Sequence, residues 1–176
     1  MEAREYHDAY SEALGGDFKE LESALLSDTV KILAPSEPIK CAAHTTVHAA
    51  IVQMAEKRRA SVVIVDTEGR LRGIFTERDL LRRVAVPGRD PKTTPLSDVM
   101  TREPETLGPD TLIAYAINRL HNANYRTIPL IDAQGRPIGV MTVNDIVQWL
   151  AELFPEAILN APPGGALKRP QDVDAG

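Results

Sequence analysis

The amino-acid sequence predicts a mixed α/β (α+β) fold: two tandem β-α-β-β-α units packed through their sheets with pseudo-twofold symmetry. Three observations lead there. First, residues 36 to 83 align without a gap on residues 102 to 149, an offset of 66 that keeps 11 identities in 48 positions. The pairs are Glu37/Glu103, Pro38/Pro104, Thr45/Thr111, Ala50/Ala116, Ile51/Ile117, Asp66/Asp132, Gly69/Gly135, Arg70/Arg136, Gly73/Gly139, Thr76/Thr142 and Asp79/Asp145. Self-similarity at one fixed spacing marks a repeated supersecondary unit. Second, apolar periodicity within each copy switches from helical to strand-like. Third, the two apolar runs of each copy are separated by Asp66 to Gly69 or Asp132 to Gly135, and a glycine ending fits a tight hairpin. A copy of about 50 residues buries too little apolar surface to be secure alone, so the halves must pack on each other.

Residues 1–26 form a helical extension interrupted at Gly15-Gly16, with Phe18, Leu21 and Leu25 on one stripe that faces the module or a partner subunit. The first repeat, 27–92, opens with an extended piece, Ile39 to Cys41. Thr45 then caps a helix whose apolar stripe is Val47, Ala50, Ile51 and Met54. Strands at Val62 to Val65 and Leu71 to Phe75 lead into a second helix, Glu77 to Val84. Pro87 to Pro95 reads as a linker. The second repeat, 93–155, repeats the series: Glu105 to Leu107 extended, a cap at Asp110, a helix with Ile113, Ala116, Ile117 and Leu120, strands at Ile128 to Ile131 and Ile138 to Met141, and a helix from Val143 to Leu150. Pro129 lies inside a strand, so its missing N–H belongs at an edge, a strand start or an irregular pairing. The tail, 156–176, is rich in Pro and Gly and is expected to be disordered.

The chain has 176 residues, 43% apolar and 26% charged, with a net charge of −5, the proportions of a globular protein. A single cysteine, Cys41, excludes an intramolecular disulfide framework and fits a reducing compartment. Apolar runs stay far short of the roughly 20 residues a membrane span needs. The acidic start, Met1 to Glu5, lacks the order of a secretion leader, so a cytoplasmic location is expected. Residues Lys57 to Lys92 hold 10 of the 20 basic residues against 5 acidic ones, a local balance of +5 that leaves −10 for the rest. A basic segment within an acidic chain argues against a nucleic-acid coat and admits a small anion.

The chemistry concentrates where the second strand turns into the second helix. Both copies carry Gly-x-x-Thr-x-x-Asp there, Gly73 with Thr76 and Asp79, and Gly139 with Thr142 and Asp145. A helix N-terminus offers unpaired N–H groups to an anion. The carboxylate three residues on can accept from two vicinal hydroxyls, as a ribose presents. The competing account is a capping box, in which the same Asp turns back on the cap. Repetition of Gly, Thr and Asp together favours a ligand. His44 and His48 have the spacing of metal ligands but lack the Glu of the zinc protease motif, and no nucleophile or dinucleotide motif is present. No catalytic residue and no metal site is assigned.

Gly73-Ile-Phe-Thr-Glu-Arg-Asp-Leu-Leu and Tyr125-Arg-Thr-Ile-Pro-Leu-Ile-Asp132 are similar to signatures of the CBS domain family, and the tandem copies from Ser27 to Phe154 resemble the CBS pair called a Bateman module. The resemblance implies a regulatory module that binds an adenosyl nucleotide (AMP, ADP, ATP or S-adenosylmethionine) between the halves and signals in trans to a protein effector. It implies no catalytic cofactor; Mg²⁺ could accompany the phosphates. Asp79 and Asp145 would hold ribose hydroxyls, and Thr76 and Thr142 would face phosphate, with Gly73, Arg78 and Asn144 beside them. Arg126 and Thr127 would lie near the Thr76/Asp79 site, and Ala60 and Ser61 near Thr142/Asp145. Ile39, Lys40 and Cys41 would flank one adenine, and Glu105 to Leu107 the other. The first site, with Arg78, Arg82 and Arg83 on its helix, would favour phosphate-rich ligands over the second, which has Asn144, Gln148 and Trp149 at matching places. Family precedent implies a homodimer, with Leu80, Leu81, Ile146, Trp149 and Leu150 available either to its interface or to the core. The alternative is a ligand-free dimerisation or scaffold module whose Thr-x-x-Asp motifs only cap helices.

Overall fold

A computed structural model describes residues 19–123 and 125–154; the readings made for residues 1–18 and for the tail after 155 lie outside them. The chain is helical over residues 19–27 (α1) and continues through β1 (Lys40–Ala42), α2 (Val47–Lys57), β2 (Ser61–Val65) and β3 (Leu71–Thr76). After α3 (Glu77–Asp79) come β4 (Thr101–Arg102), α4 (Ile113–Asn122), β5 (Thr127–Ile131), β6 (Pro137–Thr142) and α5 (Val143–Leu153). The predicted series of elements is present in the first copy, and in the second from its first helix onward, with only an isolated bridge at Leu107 in place of the opening strand. The caps sit slightly later than expected, at Thr46, whose side chain accepts from Ala49 N, and at Leu112, which has no side-chain cap. The two hairpin turns are near copies. Asp66 Oδ1 accepts from the N–H groups of Glu68 and Arg70, Asp132 Oδ1 from those of Gln134 and Arg136, and Gly69 and Gly135 take φ of 79° and 76°.

The segments that lead into the two copies are exchanged. β4, which precedes the second copy, pairs antiparallel with β3 of the first. Ser36, which precedes the first copy, bridges Val140 in β6 of the second. The exchange reaches further upstream. Leu96 N donates to Thr45 O and Val47 N to Thr94 O, and at an offset of 66 Val30 N donates to Thr111 O and Ile113 N to Asp28 O. The repeat therefore extends upstream to residues 28 and 94, within the expected bounds of 27 and 93, although no side-chain identity marks it there. The cores follow the exchange: Leu96, Val99 and Met100 are buried with Val47, Ile64 and Phe75, while Ala24 and Val30 are buried with Ile113, Met141 and Trp149. Pro87 to Pro95 is thus no loose linker at its far end, since Thr94 and Pro95 are stitched to the start of α2.

The halves differ in two instructive places. In the first copy Val63 N donates to Ile39 O and β1 runs parallel to β2. The counterpart of Val63 is Pro129, which has no N–H to give. The second copy accordingly keeps only a bridge at Leu107, which donates to Pro129 O and accepts from Ile131 N. Pro129 thereby turns its missing donor to the outer side of β5. The second helix of the first copy, expected to run regularly from Glu77 to Val84, is α-helical for one turn and then widens into a π-helical turn, Leu80–Ala85, with Val86 N reaching back to Leu81 O. Arg83 on this turn donates to Val99 O at 3.1 Å and Met100 O at 2.5 Å. Its counterpart, Trp149, donates from Nε1 to Asp28 Oδ2 at 3.1 Å. Each second helix is pinned to the exchanged leader that lies on it.

Candidate functional site

Each β-strand-to-helix turn closes a capping box. Thr76 N and Thr76 Oγ1 donate to Asp79 Oδ2 at 3.0 and 2.8 Å, and Asp79 N donates to Thr76 Oγ1 at 3.2 Å. The second copy matches it, with Thr142 N and Oγ1 on Asp145 Oδ2 at 2.6 and 2.8 Å and Asp145 N on Thr142 Oγ1 at 3.4 Å. The next N–H in each helix is also taken, Glu77 N by Ala60 O and Val143 N by Arg126 O. A threonine hydroxyl has one proton, and here it is directed at the carboxylate, so Thr76 and Thr142 shape the turn rather than offer a donor to phosphate. Each carboxylate spends one oxygen on its cap. The other differs between copies: Asp79 Oδ1 meets Arg83 Nε at 3.2 Å and Thr101 Oγ1 at 3.4 Å, whereas Asp145 Oδ1 has no partner among the described residues.

A cavity opens at each turn, and each is lined by both copies. The Asp145 cavity holds about 560 Å³ and the Asp79 cavity about 640 Å³, within the range of small-molecule sites. Thr76, Arg78, Asp79, Glu105, Arg126 and Thr127 line the Asp79 cavity. Ile39, Ala60, Ser61, Thr142, Asn144 and Asp145 line the other, with Arg126 and Thr127 again. Four expected residues line neither. Gly73 is a packing glycine: a Cβ there would stand 2.6 Å from Met100 Sδ and 3.0 Å from Thr101 O, so its bare backbone lets β4 lie against β3. Gly139 admits Pro35 in the same way, with a Cβ 3.1 Å from the ring. Lys40 is exposed on β1. Cys41 is buried in the first core with its thiol pushed up by burial, and Leu107 is buried in the second. Of the residues assigned to core or interface, Ile146 and Trp149 are buried, Leu80 and Leu150 pack against the cores, and Leu81 is exposed.

The expected arginine asymmetry is levelled. Arg58 and Arg59, at the C-terminal end of α2, line the Asp145 cavity together with Arg126. The Asp79 cavity has Arg78, Arg82, Arg83, Arg102 and Arg126, but Arg83 is bound to Asp79 and two carbonyls, and Arg102 donates to Ser97 O. Three arginines without such partners among the described residues remain at each mouth. Glu105 at the Asp79 cavity is clasped by Arg119, which holds its carboxyl below the usual 4.5. The leaders also contribute lining that sequence reasoning missed, Ser36 and Glu37 on one side and Thr101 and Glu103 on the other. Arg58 and Arg59 were within reach, since they directly precede Ala60.

A family model described as the CBS domain matches residues 31–86 and again 96–152. The chain belongs to the CBS domain family. Among curated relatives of this CBS pair, the CBS domain-containing protein CBSX3, mitochondrial, of Arabidopsis thaliana is 33% identical over 134 residues, covering 72% of this chain and 65% of the relative. The Arabidopsis CBSCBSPB3 protein is 30% identical over 73% of this chain, which spans only 22% of that relative. Among solved structures, the CBS domain pair of protein MJ0100 in complex with 5′-methylthioadenosine and S-adenosyl-L-methionine superposes with a TM-score of 0.63 at 24% identity, covering 69% of this chain and 98% of that one. These likenesses fix the architecture as a tandem CBS pair.

Proposed function

We propose that this CBS pair is a regulatory module that binds adenosyl ligands in the two cavities of its cleft and passes their occupancy to a partner in trans. The observation that carries the reading is the duplicated cavity: each joins residues of both halves and presents an aspartate carboxylate to a sugar and three unengaged arginines to a phosphate. The 5′-methylthioadenosine and S-adenosyl-L-methionine bound to the MJ0100 pair support the ligand class. The ribose is held by the carboxylate oxygens left over from the caps, unpartnered among the described residues at Asp145 and shared with Arg83 and Thr101 at Asp79. The phosphate is held by guanidinium groups. α1, anchored on α5 through Asp28 and Trp149, is the surface through which the partner is addressed. A second copy docks on the exposed Leu81 and its repeat counterpart Val147.

The capping boxes favour a second reading, a ligand-free scaffold in which Thr-x-x-Asp serves only the backbone. Thermal-shift measurements with AMP, ADP, ATP and S-adenosylmethionine, followed by calorimetry, separate the two. The sensor reading expects a rise in Tm with at least one compound, because anything that binds only the folded state stabilises it. No shift with any of the four supports the scaffold.

A further inference from the structure

The two cavities share a wall. Ala60, Glu77, Arg126 and Thr127 line both of them. The two charged members of that wall break the repeat: the counterpart of Arg126 is Ala60 and the counterpart of Glu77 is Val143. The wall therefore carries one guanidinium and one carboxylate where an exact repeat would have placed two of each or none. Both side chains are exposed, and neither enters an ion pair among the described residues. The backbone beneath them is fixed, since Arg126 O accepts from Val143 N at the start of α5 and Glu77 N donates to Ala60 O at the start of α3. Arg126 is thus anchored at one turn while the residue borders both cavities.

We propose that Arg126 makes the two cavities compete for phosphate. The inference rests on the adenosyl-ligand reading and adds a rule to it. A guanidinium that forms a charge-assisted pair with one phosphate is not available to another. Once Arg126 is engaged on one side, an anion arriving on the other meets the Glu77 carboxylate without its neighbouring positive charge. The second phosphate then binds more weakly, whichever cavity fills first, because the coupling between two sites is reciprocal. A ligand without phosphate is exempt. The cleft consequently favours one phosphorylated adenosyl compound with one uncharged or cationic adenosyl compound over two phosphorylated ones.

Arg78 and Asn144 are exposed counterparts, each lining one cavity only, so Arg78→Trp and Asn144→Trp close the Asp79 and Asp145 cavities one at a time. Calorimetry with AMP is run on each of these proteins with and without Arg126→Ala, on the unmodified chain and on Arg126→Ala alone, and repeated with adenosine. Arg126→Ala is expected to weaken AMP about tenfold in both single-cavity proteins and to leave adenosine unchanged. In the unmodified chain the product of the two AMP dissociation constants should exceed the product from the single-cavity proteins by about the same factor, and in Arg126→Ala the two products should agree. Loss of affinity in only one single-cavity protein, or equal products in the unmodified chain, overturns the proposal while leaving ligand binding intact. Failure of the unmodified chain to bind AMP overturns the proposal, and failure to bind any of AMP, ADP, ATP and S-adenosylmethionine overturns the ligand reading with it.

Discussion

Asp145 has two duties in the proposed sensor, and its two oxygens separate them. Oδ2 takes Thr142 N and Oγ1 in the capping box, and Oδ1 is left for a ribose hydroxyl. Asp145→Asn keeps an acceptor oxygen for the cap and turns the outer atom into a neutral donor. The helix loses the favourable charge at its N-terminus, about 0.3–1 kcal/mol, so Tm should fall by roughly 1–4 °C for a chain of this size. Asp145→Ala loses the box as well, about 0.5–2 kcal/mol, and should melt lower. Affinity follows the other oxygen: losing a hydrogen bond to a charged acceptor is worth about 1.5–3 kcal/mol, a drop of about ten- to hundredfold for AMP. Differential scanning calorimetry and titration calorimetry on the two variants measure both quantities. An Asn variant that binds AMP as tightly as the unmodified chain, beside an Ala variant that is only less stable, would refute the ribose role and leave Asp145 a capping residue.

Two further outcomes follow from local geometry. Gly73→Ala should lower stability by about 1–3 kcal/mol because its methyl group collides with Met100 and the β4 backbone, whereas Gly135→Ala, with open space but φ of 76°, should lose only about 1 kcal/mol; chemical denaturation ranks the two, and equal losses would contradict the packing role of Gly73. Arg119 holds the Glu105 carboxyl below 4.5, so the pair contributes at neutral pH and that contribution is lost as the pH falls through the lowered value. The stability difference between the unmodified chain and Glu105→Gln should therefore shrink on acidification, and a difference independent of pH would assign it to packing instead.

The repeat was legible because it is carried by side chains with strict local duties, such as the Asp that folds each hairpin and the Thr and Asp that start each second helix. Its upstream end, expected at 27 and 93, carries no such side chains. Asp28 to Val30 and Thr94 to Leu96 share no identity, and their equivalence lies in backbone hydrogen bonds to Thr111, Ile113, Thr45 and Val47, which any side chain permits. The motif glycine was legible as a constraint, but its cause was misplaced: Gly73 and Gly139 yield to a neighbouring strand or proline, not to a ligand. Matching positions of the second helices carry arginines in the first copy alone, whereas Arg58 and Arg59 lie at the end of α2, which differs from the end of α4. Pro129 announced an edge, a strand start or an irregular pairing, and the shortened pairing at Leu107 follows from the single N–H it lacks.

The exchanged leaders decide how a signal could leave the cleft. Ser36 and Glu37 line the Asp145 cavity, and a few residues upstream the same leader holds Val30 to Thr111 and Asp28 to Ile113 and Trp149. The leader of the second copy does likewise, with Thr101 and Glu103 at the Asp79 cavity and Leu96 and Thr94 stitched to α2. A ligand can shift a conformational equilibrium only by its differential affinity for the two states. The elements that touch ligand and also touch the rest of the molecule are therefore where that difference must be expressed. Only one leader continues into α1. Under the proposed sensing function, the Asp145 cavity would be coupled to α1 by a single unbroken segment, whereas the Asp79 cavity would reach it across the shared wall that Arg126 borders.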